Sequence, residues 1–314
     1  MFFIPFKVDL FLYRLPVVTL LVVILCIGVY YGQAENETAV KQAAESFCKK
    51  KGETIWRVVL SKTAGAADPA ACLELMWEIH LSDTPEQVIE KFAARGATVA
   101  GMNRADDLEL KRRVITDRFA AFERDVPKYD TQQLWYQPDS WDVKDMITAS
   151  FAHGSWSHVI GNLFFFFAFA AAIELIVGPI FFTAVILGLA VGTNIFYSLA
   201  MYSVAEPLPT VGLSGVVMGV MTLFTFFMPR ERIKCFFWFL LIVRVLSVPA
   251  WLLVVWYIGW DAYDLFVLSD TRSGVNLTAH VSGAALGYLI GVIFFRERRR
   301  KIKAQMIAQE LPAI

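Results

Sequence analysis

Residues 209–219 read PTVGLSGVVMG, a serine between glycines with an apolar run behind it. Two properties of this stretch decide what surrounds it. Gly215 and Gly219 are four apart, so on a helix they share one face. Ser214 lies at the head of that face, and a serine hydroxyl is a weak nucleophile unless a base lies within hydrogen-bond reach. A small-xxx-small face in an apolar helix lets a second backbone approach closely. The partner face and the base must therefore be sought together.

The chain has 314 residues, 57% of them hydrophobic, and a formal net charge of zero. That is more apolar than an ordinary soluble domain, and a zero net charge gives no indication of nucleic-acid binding. Charged residues concentrate between about residues 33 and 144. Phe, Leu, Val, Ile, Ala and Gly dominate from 146 onward. About 20 apolar residues cross a bilayer as a helix, and six segments qualify: residues 15–31, 146–176, 179–201, 211–228, 236–258 and 277–295. The first follows Lys7 and Arg14 and is read as a retained anchor, since no clear small-x-small cleavage site follows it.

The fold expected is an all-α, six-span membrane bundle with a helical extramembrane insert between spans one and two. Its parts are residues 1–32 (N-terminus and first span), 33–145 (insert), 146–296 (core) and 297–314 (basic tail). Lys and Arg near the span ends set orientation. PRERIK after span four and RERRRKIK after span six are read as cytoplasmic. Both termini are then cytoplasmic and the insert is extracytoplasmic.

In the insert, helices are expected over 38–51, 70–80 and 105–126. Another is expected in DTPEQVIEKFAARG, with Asp83 as N-cap, Pro85 in the first turn and Gly96 as its stop. No motif there is catalytic, and His80 is read as a packing or surface histidine. The insert is expected to pack or to dock a partner. Cys48 and Cys72 both lie in it, where a disulfide would persist; spacing alone leaves that bridge open. No metal ligand set and no cofactor motif is present.

Ionisable groups within spans are costly and point to function. His153, His158 and Asn162 open span two in FAHGSWSHVIGNLFFFF, and His280 opens span six in NLTAHVSGAALGYLIG. Spans two, four and six run in the same direction, so His158, Asn162, Ser214 and His280 lie at similar depth, in the outer half. Gly283 and Gly287 follow His280 at +3 and +7, on its face. If that face meets Gly215 and Gly219, His280 reaches Ser214 and supplies the base. Asn162, His158 and the Ser214 N–H, with Gly212 beside it, are suitable donors for an oxyanion. Asp261, Asp264 and Asp270 fall in the loop before span six, so the reading is a Ser-His dyad without an orienting acid.

His153-GSWS-His158-VIG-Asn162, Gly212-L-Ser214-Gly215 and Ala279-His280-VS-Gly283-AAL-Gly287 together resemble the rhomboid intramembrane serine proteases. The resemblance implies a cavity open to the outside and cleavage of transmembrane protein substrates near the outer end of their helices, within the lipid bilayer. It implies Ser214 as nucleophile and His280 as general base, with His158, Asn162 and the Ser214 amide as the oxyanion site and His153 in support. It implies residence in a cell membrane, here expected to be a bacterial inner membrane. Span five is the family's lateral gate, for which Trp251 and Trp260 are the candidates; an aromatic belt explains them equally well. Two departures stand out. Met218 occupies a position where the family often has a tyrosine, so altered histidine positioning is expected. Trp141 and Lys144 stand where a Trp-Arg pair is common. Glu174 and Arg244 are read as structural, with Arg244 snorkelling or pairing with Glu174. The alternatives are an inactive rhomboid-like client-binding protein and a transporter. The transporter would need polar residues along a whole route, and FFFFAFAAA seals the inner half.

Overall fold

The computed structural model describes residues 2–8, 14–50, 52–82, 84–239, 242–268 and 275–310. In chain order its elements are β1 (Phe2–Val8), α1 (Val17–Lys49), α2 (Thr54–Ala64), α3 (Pro69–His80), α4 (Pro85–Ala94), α5 (Arg104–Asp125), α6 (Asp130–Leu134), α7 (Val143–Phe151), α8 (Trp156–Val177), α9 (Pro179–Met201), α10 (Ser214–Phe227), β2 (Arg232–Phe239), β3 (Ile242–Pro249), α11 (Ala250–Tyr263), α12 (Leu277–Phe294) and α13 (Arg296–Glu310). A π-helical turn, Asp264–Leu268, continues α11. They form two units, one of residues 1–31 with 133–314 and one of residues 32–132.

The first unit is an all-α membrane bundle with one small sheet. Among the described residues, five helices are long and apolar enough to cross a membrane: α1, α8, α9, α11 with its π-helical turn, and α12. The sixth apolar helix, α10, has 14 residues and is about 21 Å long, against a hydrocarbon core of about 30 Å. It is the most enclosed helix of the unit: all its residues from Gly215 to Phe224 are buried.

Several boundaries differ from the sequence expectation, each for a local reason. Span two is broken: α7 ends at Phe151, and α8 starts again after Ser155, whose side chain accepts the His158 N–H at 3.1 Å. Residues 236–239 and 242–249 are not helical. They lie in β2 and β3, an antiparallel pair, with β1 on the other side of β2. Pro249 explains the change, since inside a helix it would remove a bond and clash with the preceding turn; the helix starts just after it, at Ala250. The residues before it are rich in Ile, Phe, Trp and Val, which suit strands. Arg244 is therefore an exposed strand residue opposite Phe237. Glu174 has other partners: its carboxylate accepts the Val18 N–H, the Thr19 N–H and the Thr19 hydroxyl at 2.8–2.9 Å. That satisfies free N–H groups opening α1 and places negative charge at the positive helix end.

The helix expected over 38–51 is the continuation of α1, which runs unbroken to Lys49. Residues 133–145, grouped with the insert in the sequence reading, fold with the bundle unit. Tyr136 is fully buried, its hydroxyl bonds Ser198 on α9, and its backbone pairs with Thr210.

The second unit is built by α2 to α5 and the end of α1. Val59, Leu75, Met76, Ile79, Ile115 and Phe122 form its core, each no more than 1% exposed. Asp68 caps α3 through the Ala71 N–H, and Asn103 caps α5 through the Asp106 N–H. At α4 the N-cap is Thr84; Asp83, Asp270 and residues 240–241 lie outside the described residues.

Cys48 and Cys72 form a disulfide that links α1 to α3 across a sequence separation of 24. A loop of that length removes about 3 kcal/mol of unfolded-state freedom. Replacing both cysteines with alanine is expected to destabilise this unit by about that amount, read as a lower denaturant midpoint. A second buttress is buried: Lys111 Nζ lies 2.8 Å from Asp107 Oδ2 and bonds the carbonyls of Arg95 and Ala97. Burial raises the Asp107 pKa, but the Lys111 partner and the Val99 N–H outweigh it and hold the carboxyl below its ordinary value. A depressed folded pKa contributes stability above the unfolded value, about 3.9, and that contribution fades as pH falls through the folded one. Acid unfolding of this unit is therefore expected to shift to higher pH in Asp107→Asn, which also leaves the Lys111 ammonium buried without its counter-charge.

Candidate active site

The site begins with a backbone contact between α10 and α12. A side chain at Gly283 would run into the Gly215 carbonyl, and one at Gly287 into the Gly219 carbonyl. A Cβ at Gly215 would lie 3.1 Å from the carbonyl oxygen of Ala279, the residue before His280. The two glycine faces meet. Thr222 fastens them one turn further along, its hydroxyl donating to the Ala284 carbonyl at 2.8 Å. This brings the start of α10, where Ser214 stands, against the first turns of α12, where His280 stands.

Both helix starts are tied to the segment before Ser214. Asn276 caps α12 by accepting the Ala279 N–H at 2.9 Å, and its amide donates to the Thr210 hydroxyl at 3.1 Å. The Gly212 N–H donates to the Ala149 carbonyl at 2.8 Å. Gly212 has φ of +123°, a conformation only glycine adopts easily. Its missing side chain makes room for α8, because a Cβ there would lie 2.7 Å from His158 Cε1 and 3.6 Å from Asn162 Nδ2. His158 and Asn162 thus stand directly beside the turn that leads into Ser214. His153 is fully buried behind them, its ring 5.0 Å from that of His158, edge to face.

Ser214 is half-buried, and no side chain caps the helix it opens. Its first N–H groups are therefore available to a ligand. Among the described residues, the buried side-chain nitrogens His280 Nε2 and Asn162 Nδ2 have no hydrogen-bond partner. Unpaired buried donors and acceptors are costly, and at one site they amount to unused chemistry. A cavity of about 10 Å³, room for roughly one water, touches Ser214, Gly215, Thr193, Asn194 and Asn276. Met218 is buried one turn after Ser214.

Asp261 departs from its expected place. It is not in a loop: α11 extends to Tyr263 and carries Asp261 in its last turn. Its Oδ2 lies 2.8 Å from His280 Nδ1. Composition and spacing give no indication of this contact, which spans 19 residues and the whole connection between two helices. Asn276, Thr210 and Thr222 also escape the sequence reading; only Asn276, just ahead of an apolar helix, carries a legible capping signal. Trp251 and Trp260 are both exposed on α11. Trp260 borders a groove of about 380 Å³ with Leu252, Val255, Trp256, Gly259 and Tyr263, while Trp251 lies outside it.

Comparison with curated proteins and with solved structures finds no match. A family model described as the Rhomboid domain matches residues 140–297, half of the chain. That stretch holds α7 to α12, and so every side chain of the site just described; the chain belongs to the rhomboid family.

Proposed function

We propose that this protein is an intramembrane serine endopeptidase that cleaves transmembrane-anchored proteins, with Ser214 as nucleophile and His280 as general base. The observation that carries the reading is the glycine-mediated contact of α10 and α12, which sets Gly215, next to Ser214, against Ala279, next to His280, whose buried Nε2 has no partner among the described residues. In the first step Ser214 Oγ bonds to the scissile carbonyl carbon as its proton passes to His280 Nε2. The carbonyl π electrons move to oxygen. The oxyanion then accepts from Asn162 Nδ2, His158 and the Ser214 N–H. Collapse re-forms the carbonyl and breaks the C–N bond, and His280 returns the proton to the leaving amine. Water hydrolyses the acyl ester by the same path.

The short α10 supports a membrane depth for this chemistry. If its end near PRERIK is at the cytoplasmic face, Ser214 falls about 9 Å short of the opposite face. Both termini are then cytoplasmic, residues 33–145 are extracytoplasmic, and the protein resides in a bacterial inner membrane. The insert serves to pack or to dock a partner, and Trp251 and Trp260 on α11 face arriving substrate helices. Cleavage is tested in proteoliposomes with a single-span reporter labelled at both ends. Two fragments parted near the outer end of the span are expected. Intact reporter with well-folded protein would favour an inactive client-binding relative.

A further inference from the structure

Resting on the protease reading, we infer that Asp261 is a positioning residue that holds His280 in the tautomer a general base requires. An ionised carboxylate only accepts hydrogen bonds. At 2.8 Å from Asp261 Oδ2, His280 Nδ1 must carry the proton and donate it. The lone pair is thereby placed on Nε2, the nitrogen that is buried and unbonded. Without the carboxylate, an imidazole is free to hold its proton on either nitrogen, and the Nε2–H form cannot take a proton from Ser214.

The geometry favours this role over a purely structural one. Asp261 has 20% of its side chain accessible and His280 10%, so the pair is sheltered yet open on one side. Asp261 reaches His280 from α11, while Ser214 opens α10, the helix whose glycine face packs on α12. His158 also lies within electrostatic range of His280. Asp264, three residues on, is in the π-helical turn that follows. The part assigned to the Asp261 carboxylate is that of acceptor. It accepts the Nδ1–H bond before, during and after the proton is on Nε2, and steadies the imidazolium between. Because α11 carries it, the base is correctly set only while α11 keeps its place against α12.

The chain has four histidines, so ¹⁵N-histidine labelling of the intact protein in detergent micelles resolves the tautomer, with His280→Ala assigning the signal. The parent is expected in the Nδ1–H form and Asp261→Asn chiefly in the Nε2–H form. Asp261→Asn is expected to lower kcat about 100-fold or more with KM within about threefold, at an unchanged thermal midpoint. Asp261→Glu, which keeps the carboxylate, is expected to recover at least tenfold of that loss and to serve as the folded comparison. An unchanged tautomer in Asp261→Asn, or an undiminished kcat, would overturn the inference. If Ser214→Ala cleaved as well as the parent, the protease reading would fall instead, and the tautomer measurement would still decide the role of Asp261.

Discussion

Replacing Gly287 with leucine is expected to unfold the bundle or leave it without activity. The site depends on two helices whose backbones touch, and Gly287 lies against the Gly219 carbonyl with Thr222 Oγ1 only 2.6 Å from where its Cβ would be. The obstruction is main chain, so no flexible neighbour can give way to a leucine. The helices must part, and parting them breaks the Thr222–Ala284 bond and moves Ser214 from His280. Overpacking costs about 1–3 kcal/mol or more, and an interhelical hydrogen bond in a membrane is worth about 0.6 kcal/mol. A total loss of about 3 kcal/mol is a large share of ordinary stability. Gly28, exposed on α1, is the control, since a Cβ there meets nothing within 4 Å. Thermal unfolding in detergent should show a fall of several degrees for Gly287→Leu and almost none for Gly28→Leu. Equal midpoints for the two would show that the glycine contact does not hold the helices together.

Ser214→Ala and His280→Ala are each expected to lower cleavage of a membrane reporter by about 10⁴-fold or more, with the double variant no worse than either single one. Groups that act as one unit are strongly non-additive. A nucleophile without its base, and a base without its nucleophile, both leave only the oxyanion donors and binding. Ser214 opens its helix without a side-chain cap, so the fold should survive its change; His280→Ala gives up the Nδ1 bond to Asp261, so its thermal midpoint is measured beside its activity. Additive losses in the double variant would mean that the two residues act separately.

The helix contact is legible because glycine spacing is a local pattern: Gly215 and Gly219 on one span, Gly283 and Gly287 on another. The placement of His158 is legible in part, since Ser155 three residues earlier is a good N-cap. Other features depend on tertiary placement that spacing does not encode. Glu174 reads as an isolated acid at a span end, and only the fold brings Val18 and Thr19 to it. Asp261 reads as loop because the apolar run ends near Trp260, yet the last turn of α11 carries it to His280. The sheet is partly legible, since Pro249 forbids a continuous helix over 236–258. The apolar run outweighs that signal in the reading, as hydropathy does not distinguish an apolar strand from a span. The end of α1 escapes for the opposite reason: residues beyond 31 turn polar while the helix continues.

Fluorophosphonate labelling of the purified, folded protein separates a serine activated by a base from one that merely packs, because the probe reacts only with the former. A labelled band is expected in the parent and is expected to vanish in Ser214→Ala and in His280→Ala. Absence of labelling in the folded parent, or labelling that persists in Ser214→Ala, would show that Ser214 is not the activated nucleophile.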